Sequence, residues 1–289
     1  MPSTMLNTWS RRSLLKLASL AVPFGRNHFL PRVSGPDLTD KDDSSNRELV
    51  LDIFPTQSPE LTQEMVTVSH FDVKRVKELV EARPSLARAA WDWGFGDWES
   101  ALGAASHMGN RPIAEYLISK GARPSLFSAA MLGQVEVVKA FVTAEPGAQR
   151  IRGPHGISLL AHARAGGQGA RPVFDFLQSR GDADAEPPVA LSDAEIAVLA
   201  GVYAFGIGPN QQIELTVERR QGVSAMYSPL TWTRKGTMGR PLVYVGGRSF
   251  YPAGAPSVRI RFEENSGPVV MTIHDPELVL VAKRMQDQK

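Results

Sequence analysis

A helical pattern that recurs along the first two thirds of the chain is the feature that most constrains its fold. Residues 111–121 and 171–181 are identical at five of eleven positions, and four more positions hold conservative replacements. Residues 133–142 repeat the same order of a glycine, a polar pair and two apolar pairs, and residues 72–80 do so with Phe71 in the glycine's place. Such self-similarity is typical of repeat architectures, in which each unit buries its apolar face against its neighbours. Four copies therefore predict an array of helices.

Shorter, alanine-rich segments precede these helices, most clearly at residues 101–108 and 158–163. Small side chains let paired helices approach closely. Gly109, Gly133 and Gly167 allow the chain to turn between helices, because glycine adopts a positive φ without a steric penalty. The sequence therefore predicts helix pairs.

These helix pairs resemble the ankyrin family, whose repeat opens with G-x-T-P-L-H-x-A-A-x-x-G. Residues 156–163 match this opening, with Leu159 and Ala161 in place of the usual proline and histidine. The resemblance implies a helical solenoid that binds partner proteins on its concave face. The step from Gly109 to Gly133 is only 24 residues, so the array is expected to be irregular and to lack most of the β-hairpin fingers. A narrower resemblance to bacterial ankyrin-repeat proteins with twin-arginine signals rests on residues 91–93, 96–99, 104–109 and 153–156.

The last part of the chain has a different period. Residues 212–218, 257–263 and 269–274 alternate or nearly alternate apolar with polar side chains, which predicts half-buried antiparallel strands. Before them, Ser192 and Glu195 have the spacing of a capping box that opens a short helix.

Segments 201–203, 259–263 and 281–284 resemble a small β-domain that follows serine β-lactamase-type hydrolases in exported bacterial proteins, where it is an accessory. We therefore expect an α + β multidomain protein. An ankyrin-type helical solenoid of about four irregular repeats would occupy residues 58–186, and a small antiparallel β-sheet or barrel domain would occupy residues 187–289.

The N-terminal segment carries most of the positive charge. The first 32 residues contain five basic and no acidic residues, although the net charge of the whole chain is only +2. Arg11 and Arg12 precede an apolar stretch too short for the roughly 20 residues that span a bilayer, and this arrangement resembles a twin-arginine export signal. We expect a signal region at residues 1–35, a disordered linker at residues 36–57 and a periplasmic protein, held at the membrane only if the signal is not cleaved.

Composition and motifs exclude several kinds of chemistry. The chain has no cysteine and no G-x-S-x-G motif, which argues against thiol and serine enzymes, and its near-neutral charge argues against nucleic-acid binding. No H-x-x-x-H or H-E-x-x-H motif occurs, so neither a metal nor another cofactor is expected. His70, His107 and His162 are interpreted as repeat histidines that bond backbone groups, and no catalytic residue is expected.

A cluster of aromatic residues between the first two helical copies is the best functional candidate. Tryptophan is enriched at the energetic centres of protein interfaces, and the segment around residue 155 lies at the corresponding place before the last copy. The alternative is that the aromatic residues seal the first repeat. The candidate partner-binding residues are Trp91, Trp93, Phe95, Asp97, Trp98, Arg152 and His155.

The sequence thus predicts a non-catalytic protein–protein interaction protein of the bacterial envelope, which binds a protein partner through the concave ankyrin face. Two alternatives stay open. One is an accessory or small-ligand-binding module in which the β-domain is the binding part. The other is an enzyme that uses Asp97, Glu99 and His107.

Overall fold

The computed structural model describes residues 56–183, 191–218, 227–237, 239–264 and 267–285. All of these residues belong to the same compact unit of the chain. The predicted export signal, most of the linker and the predicted boundary near residue 187 lie outside the described residues. No helix in the described ranges combines the length and the apolar character needed to cross a membrane.

Nine α-helices of seven to ten residues lie in the described part of the chain. They are α1 (Pro59–Val68), α2 (Val73–Ala82), α3 (Ala101–His107), α4 (Arg111–Ser119), α5 (Leu126–Leu132), α6 (Val135–Ala144), α7 (Leu159–Ala165), α8 (Arg171–Ser179) and α9 (Asp193–Leu199). A two-stranded antiparallel hairpin, β1 (Ala90–Asp92) and β2 (Trp98–Ser100), stands between α2 and α3.

Short polar side chains fix where most of these helices begin. A side-chain oxygen at the N-cap accepts a hydrogen bond from a backbone N–H of the first turn, which would otherwise have no partner. Ser58 caps α1, with Pro59 at its first position, and the predicted capping box of Ser192 and Glu195 is confirmed. The residues that cap helices in this way are Ser58, Asp72, Ser100, Asn110, Ser125, Ser158 and Ser192.

The predicted ankyrin-type solenoid is wrong, because these short helices are not arranged as a solenoid. A solenoid requires each unit to stack on the next in the same way, and the copies here differ too much. A β-hairpin stands between α2 and α3, but none stands between the later helix pairs of residues 101–179. An extra 3₁₀ turn at Gly167–Ala170 separates α7 from α8. The buried apolar residues accordingly form two helical cores, one mainly around α1–α4 and one around α5–α8.

The C-terminal half forms a closed antiparallel barrel of eight strands, in the order β10-β3-β4-β5-β6-β7-β8-β9. The strands are β3 (Gly201–Ala204), β4 (Gln212–Val217), β5 (Leu230–Arg234), β6 (Arg240–Gly246), β7 (Ser249–Pro252), β8 (Arg259–Glu263), β9 (Val270–Asp275) and β10 (Leu278–Arg284).

The barrel corrects the expected small β-domain, although the three strands predicted from alternation are confirmed as β4, β8 and β9. In β8 the side chains of Ile260 and Phe262 are buried and those of Arg259 and Arg261 are exposed, so alternate residues fill the interior. Eight strands enclose just enough space for packed side chains. Pairing of β9 with β10 and of β10 with β3 completes the ring.

The loop between β1 and β2, residues 93–97, joins the helical region to the barrel. The guanidinium of Arg240 in β6 donates to the carbonyl oxygen of Trp93 at 2.6 Å and lies 3.3 Å from a carboxylate oxygen of Asp97. The ring of Phe95 packs against that of Trp232 in β5, with centroids 5.8 Å apart. This loop therefore holds the helical region against the barrel wall.

Candidate metal centre

Three imidazoles and one carboxylate converge beside this loop. His70, Glu99, His107 and His155 each offer one ligand atom, and these four atoms lie within 4.8 Å of one another. They come from four places in the fold: the turn between α1 and α2, strand β2, the last position of α3, and a 3₁₀ turn at Pro154–Gly156. The cluster exists only because the fold brings together residues up to 85 positions apart in sequence.

Glu99 is the centre of the cluster. Its side chain is fully buried, and its Oε1 lies 2.9 Å from Nε2 of His107. Its Oε2 lies 3.4 Å from Nε2 of His70 and 3.4 Å from Nε2 of His155. The indole N–H of Trp93 donates to the same Oε2 at 2.8 Å. All three histidines thus present Nε2 to one carboxylate.

In two of these histidines the other ring nitrogen, Nδ1, has hydrogen-bond partners of its own. Nδ1 of His70 lies 3.1 Å and 3.0 Å from the carbonyl oxygens of Val66 and Thr67. Because a carbonyl oxygen only accepts hydrogen bonds, this Nδ1 carries the proton and Nε2 is left with a lone pair. Nδ1 of His155 lies 2.9 Å from Oδ2 of Asp97, which is the carboxylate–histidine arrangement that orients metal ligands in many proteins.

Two buried atoms of the cluster lack a hydrogen bond. Nε2 of His107 and Oε1 of Glu99 are close, but they are not aligned for a hydrogen bond, and neither has another hydrogen-bond partner among the described residues. Buried polar atoms are almost always satisfied. A cation between them would satisfy both atoms at once.

The pKa directions show how strongly the carboxylates act on these rings. Burial lowers the pKa of His155, but its hydrogen bonds to Asp97 and Glu99 outweigh burial and raise the pKa to about 9. Burial also opposes ionisation of Glu99, yet its contacts with His107 and His155 hold its pKa well below the usual range. Burial lowers the pKa of His70, and the neighbouring histidines act in the same direction. The site therefore holds an ionised carboxylate that attracts positive charge.

His162 lies behind His107 and outside the set of converging atoms. It is fully buried, its Nδ1 lies 2.8 Å from the carbonyl oxygen of Ser158, and its ring centroid lies 6.3 Å from that of His107. Burial lowers the pKa of His162 to about 4, so it is neutral at pH 7. The predicted bonding of repeat histidines to backbone groups is confirmed for His70 and His162, whereas His107 faces Glu99.

Backbone strain occurs at two positions beside the centre. Phe95 and His155 have φ values of 58° and 59°, a region that residues other than glycine rarely adopt. Such residues persist only where surrounding contacts hold them. The backbone N–H of His155 donates to Asp97 at 2.9 Å, and the hydroxyl of Tyr227 donates to the carbonyl oxygen of His155 at 2.8 Å.

The candidate residues from the sequence divide between the centre and the surface. Trp93, Asp97 and His155 lie at the centre, and Phe95 packs on the barrel. Trp91 is half-buried against the helical core, whereas Trp98 is 63% exposed and Arg152 is exposed. Sequence reasoning gave His70 and His107 a structural role as repeat histidines, and it named Glu99 and His107 as functional residues only in the alternative of an enzyme.

The comparisons with known proteins add no family. No protein-family model and no curated protein matches this chain. A function must therefore be inferred from the chemistry of the centre itself.

The set of donor atoms indicates the kind of ion. Imidazole nitrogen suits Zn²⁺, Fe²⁺, Cu²⁺ and Ni²⁺, and carboxylate oxygen is compatible with them, whereas Mg²⁺ and Ca²⁺ prefer oxygen alone. Three nitrogens and one oxygen match the four-coordinate preference of Zn²⁺.

Proposed function

We propose that this protein binds one divalent transition-metal ion, with Zn²⁺ as the first candidate, through His70, Glu99, His107 and His155. The observation that carries the proposal is the convergence of three imidazole Nε2 atoms on one buried carboxylate. An arrangement in which the nearest atoms all offer electron pairs is stable only with a proton or a metal ion between them.

The unpaired buried atoms, rather than the charge balance, favour an ion over protons alone. Asp97 and Glu99 carry two negative charges, and Arg240 supplies one positive charge beside Asp97. A protonated His155 would neutralise the remainder, but the Nε2 of His107 would still lack a hydrogen bond. A divalent cation satisfies His107 and Glu99 together.

The surrounding residues support the proposal because they orient the ligands. Asp97 holds His155, two backbone carbonyls hold His70, and Trp93 holds Glu99. Partners behind the direct ligands typically contribute 10- to 100-fold to metal affinity.

The predicted export and partner binding stay predictions. Trp98 and Arg152 are the two exposed members of the candidate set, and they are where a protein partner would be sought. The metal centre does not depend on either prediction.

A metal-binding measurement tests the proposal directly. The full chain, stripped with a chelator, is titrated with Zn²⁺ against a chromophoric competitor, and bound metal is counted by mass spectrometry. We expect one ion per chain and a loss of affinity of about 100-fold or more in His107→Ala and in Glu99→Gln, because each substitution removes a ligand atom or its charge.

His274→Ala is the matched control, because His274 lies in β9 and does not belong to the cluster. It should bind Zn²⁺ as the wild type does. Wild-type protein that takes up no ion, or ligand variants that bind as tightly as the control, would refute the metal centre.

A further inference from the structure

A pocket of about 250 Å³ lies between the turn that carries His155 and the barrel. Its walls include His155 and Arg152 from the helical region, and Tyr227, Val243, Tyr251 and Pro256 from the barrel half. This volume is below the 300–1,000 Å³ of typical clefts for drug-sized ligands, so it suits a small molecule.

The residues that line this pocket have a distinct chemical character. Val243, Pro256 and the two tyrosine rings provide apolar surface, and the described residues of the lining include Arg152 but no carboxylate. A guanidinium has five N–H donors; among the bonds of the described residues, Arg152 uses one of them for the carbonyl oxygen of Gly156 at 3.1 Å. The other donors can pair with an anion.

Charges behind the walls point the same way. The guanidinium of Arg259 lies 5.8 Å from the centroid of the Tyr251 ring, which places a second positive charge beside one of the lining residues. Asp97 lies behind the wall at Gly254, but its carboxylate pairs with Arg240 and accepts hydrogen bonds from His155. The pocket thus favours a ligand with one negative charge.

His155 connects the pocket with the metal centre. Its side chain is 28% exposed and lines the pocket, while its Nε2 faces Glu99 at 3.4 Å. A molecule in the pocket would therefore touch a residue that binds the proposed ion. Because a Zn–N bond is only about 2.0–2.1 Å long, it would also lie close to the ion. The strained backbone of His155 is held by the hydroxyl of Tyr227, which also lines the pocket.

We propose that this pocket binds small organic monocarboxylates, with the carboxylate on Arg152 and an apolar body between Tyr227, Val243 and Tyr251. This proposal rests on the proposed metal centre, because the bound molecule contacts His155 and so alters the environment of the ion. The substrate or effector class of the centre is then a small carboxylic acid anion.

The test uses the full chain loaded with Co²⁺, whose visible absorption reports changes at the ion, and benzoate as the probe. We expect saturable binding at one benzoate per chain by calorimetry, together with a change in the Co²⁺ spectrum. Benzamide has the same shape without the charge and should bind at least 10-fold more weakly.

Two variants separate the pocket from the ion. Arg152→Gln should weaken benzoate binding at least 10-fold, weaken binding of the uncharged benzamide less, and leave Co²⁺ binding unchanged. Arg150→Gln removes a nearby guanidinium that pairs with Asp182 instead, and it should bind benzoate as the wild type does.

The outcomes distinguish this inference from the proposed function. Co²⁺ uptake without benzoate binding would overturn the pocket proposal alone, and equal binding of benzoate and benzamide would overturn the role of Arg152. Benzoate binding that leaves the Co²⁺ spectrum unchanged would overturn the link through His155. Failure to take up Co²⁺ at all would overturn the metal centre and this proposal with it.

Discussion

At the scale of single residues, Asp97 does more than any of the four direct ligands to tie the site together. One of its carboxylate oxygens accepts from the backbone N–H of His155, and the other lies 2.9 Å from Nδ1 of the same residue. The second oxygen also lies 3.3 Å from Arg240. Burying such a charge costs several kcal/mol unless it is paired, and here it is paired on both sides.

We predict that Asp97→Asn lowers Zn²⁺ affinity by 10- to 100-fold without removing the ion's direct ligands. The amide keeps the shape of the carboxylate but loses the charge that makes His155 a better electron donor. Competition titration measures the effect. Asp275→Asn, at the end of β9, is the control, and equal affinity in the two variants would show that Asp97 has no part in metal binding.

At the scale of secondary-structure elements, the connection between β7 and β8 fits closely over the β1–β2 loop. Gly254 in this connection has a φ of +83°, and a Cβ atom there would lie 2.4 Å from the carboxyl carbon of Asp97. The backbone of the barrel can therefore pass over Asp97 only where a side chain is absent.

We predict that Gly254→Ala destabilises the protein by about 1–3 kcal/mol more than Gly246→Ala, in the range of overpacking. Gly246 also has a positive φ, of +95°, but a Cβ there would meet nothing within 4 Å, so it isolates backbone strain from the clash. Urea unfolding of both variants gives the difference. Equal destabilisation would mean that Asp97 moves away at no cost.

Helix starts and strands were predictable where neighbouring residues in the sequence determine them. The caps at Ser58 and Ser192 and the alternating strands β4 and β8 follow from neighbouring residues, and all four are present. A sheet or a barrel was expected, but closure through eight strands was not predictable, because short strands such as β7, with only four residues, carry too little alternation. The repeat signal itself misled, since similar helices need not stack in a regular way.

The centre was out of reach of sequence reasoning for a related reason. A metal site is recognisable in a sequence when its ligands share one helix face or a short loop. Here His70, Glu99 and His155 come from separate turns and strands, and their approach depends on tertiary packing alone. The aromatic segment at residues 91–98, His155 and the enzyme alternative with Asp97, Glu99 and His107 drew attention to the correct region, but none of them indicated a metal site.

At the scale of the whole molecule, Arg240 joins the barrel to the loop that lies beside the proposed metal centre. The ligands all belong to the helical region and its loops, and Arg240 reaches from β6 to Trp93, Asp97 and the barrel's own Ala253. Metal binding should therefore stabilise more than the segments that hold the ion.

We predict that Zn²⁺ at 1,000 times its dissociation constant raises the free energy of unfolding by about 4 kcal/mol. Hydrogen exchange should slow both in α3 and in β6, because the loop links them. Glu99→Gln serves as the control: with its affinity lowered about 100-fold or more, it should gain at most about 1.4 kcal/mol at the same Zn²⁺ concentration. Slower exchange confined to the helices would show that the barrel is not coupled to the ion.

The order of the ligands along the chain has a consequence for biosynthesis. The last ligand is His155, and the first barrel strand begins at Gly201. The ribosome releases the chain from its N-terminus. All four proposed ligands therefore emerge before any barrel strand. The residues of the proposed centre are thus all synthesised before the barrel exists, and Arg240, which is synthesised later, supplies the positive charge beside Asp97.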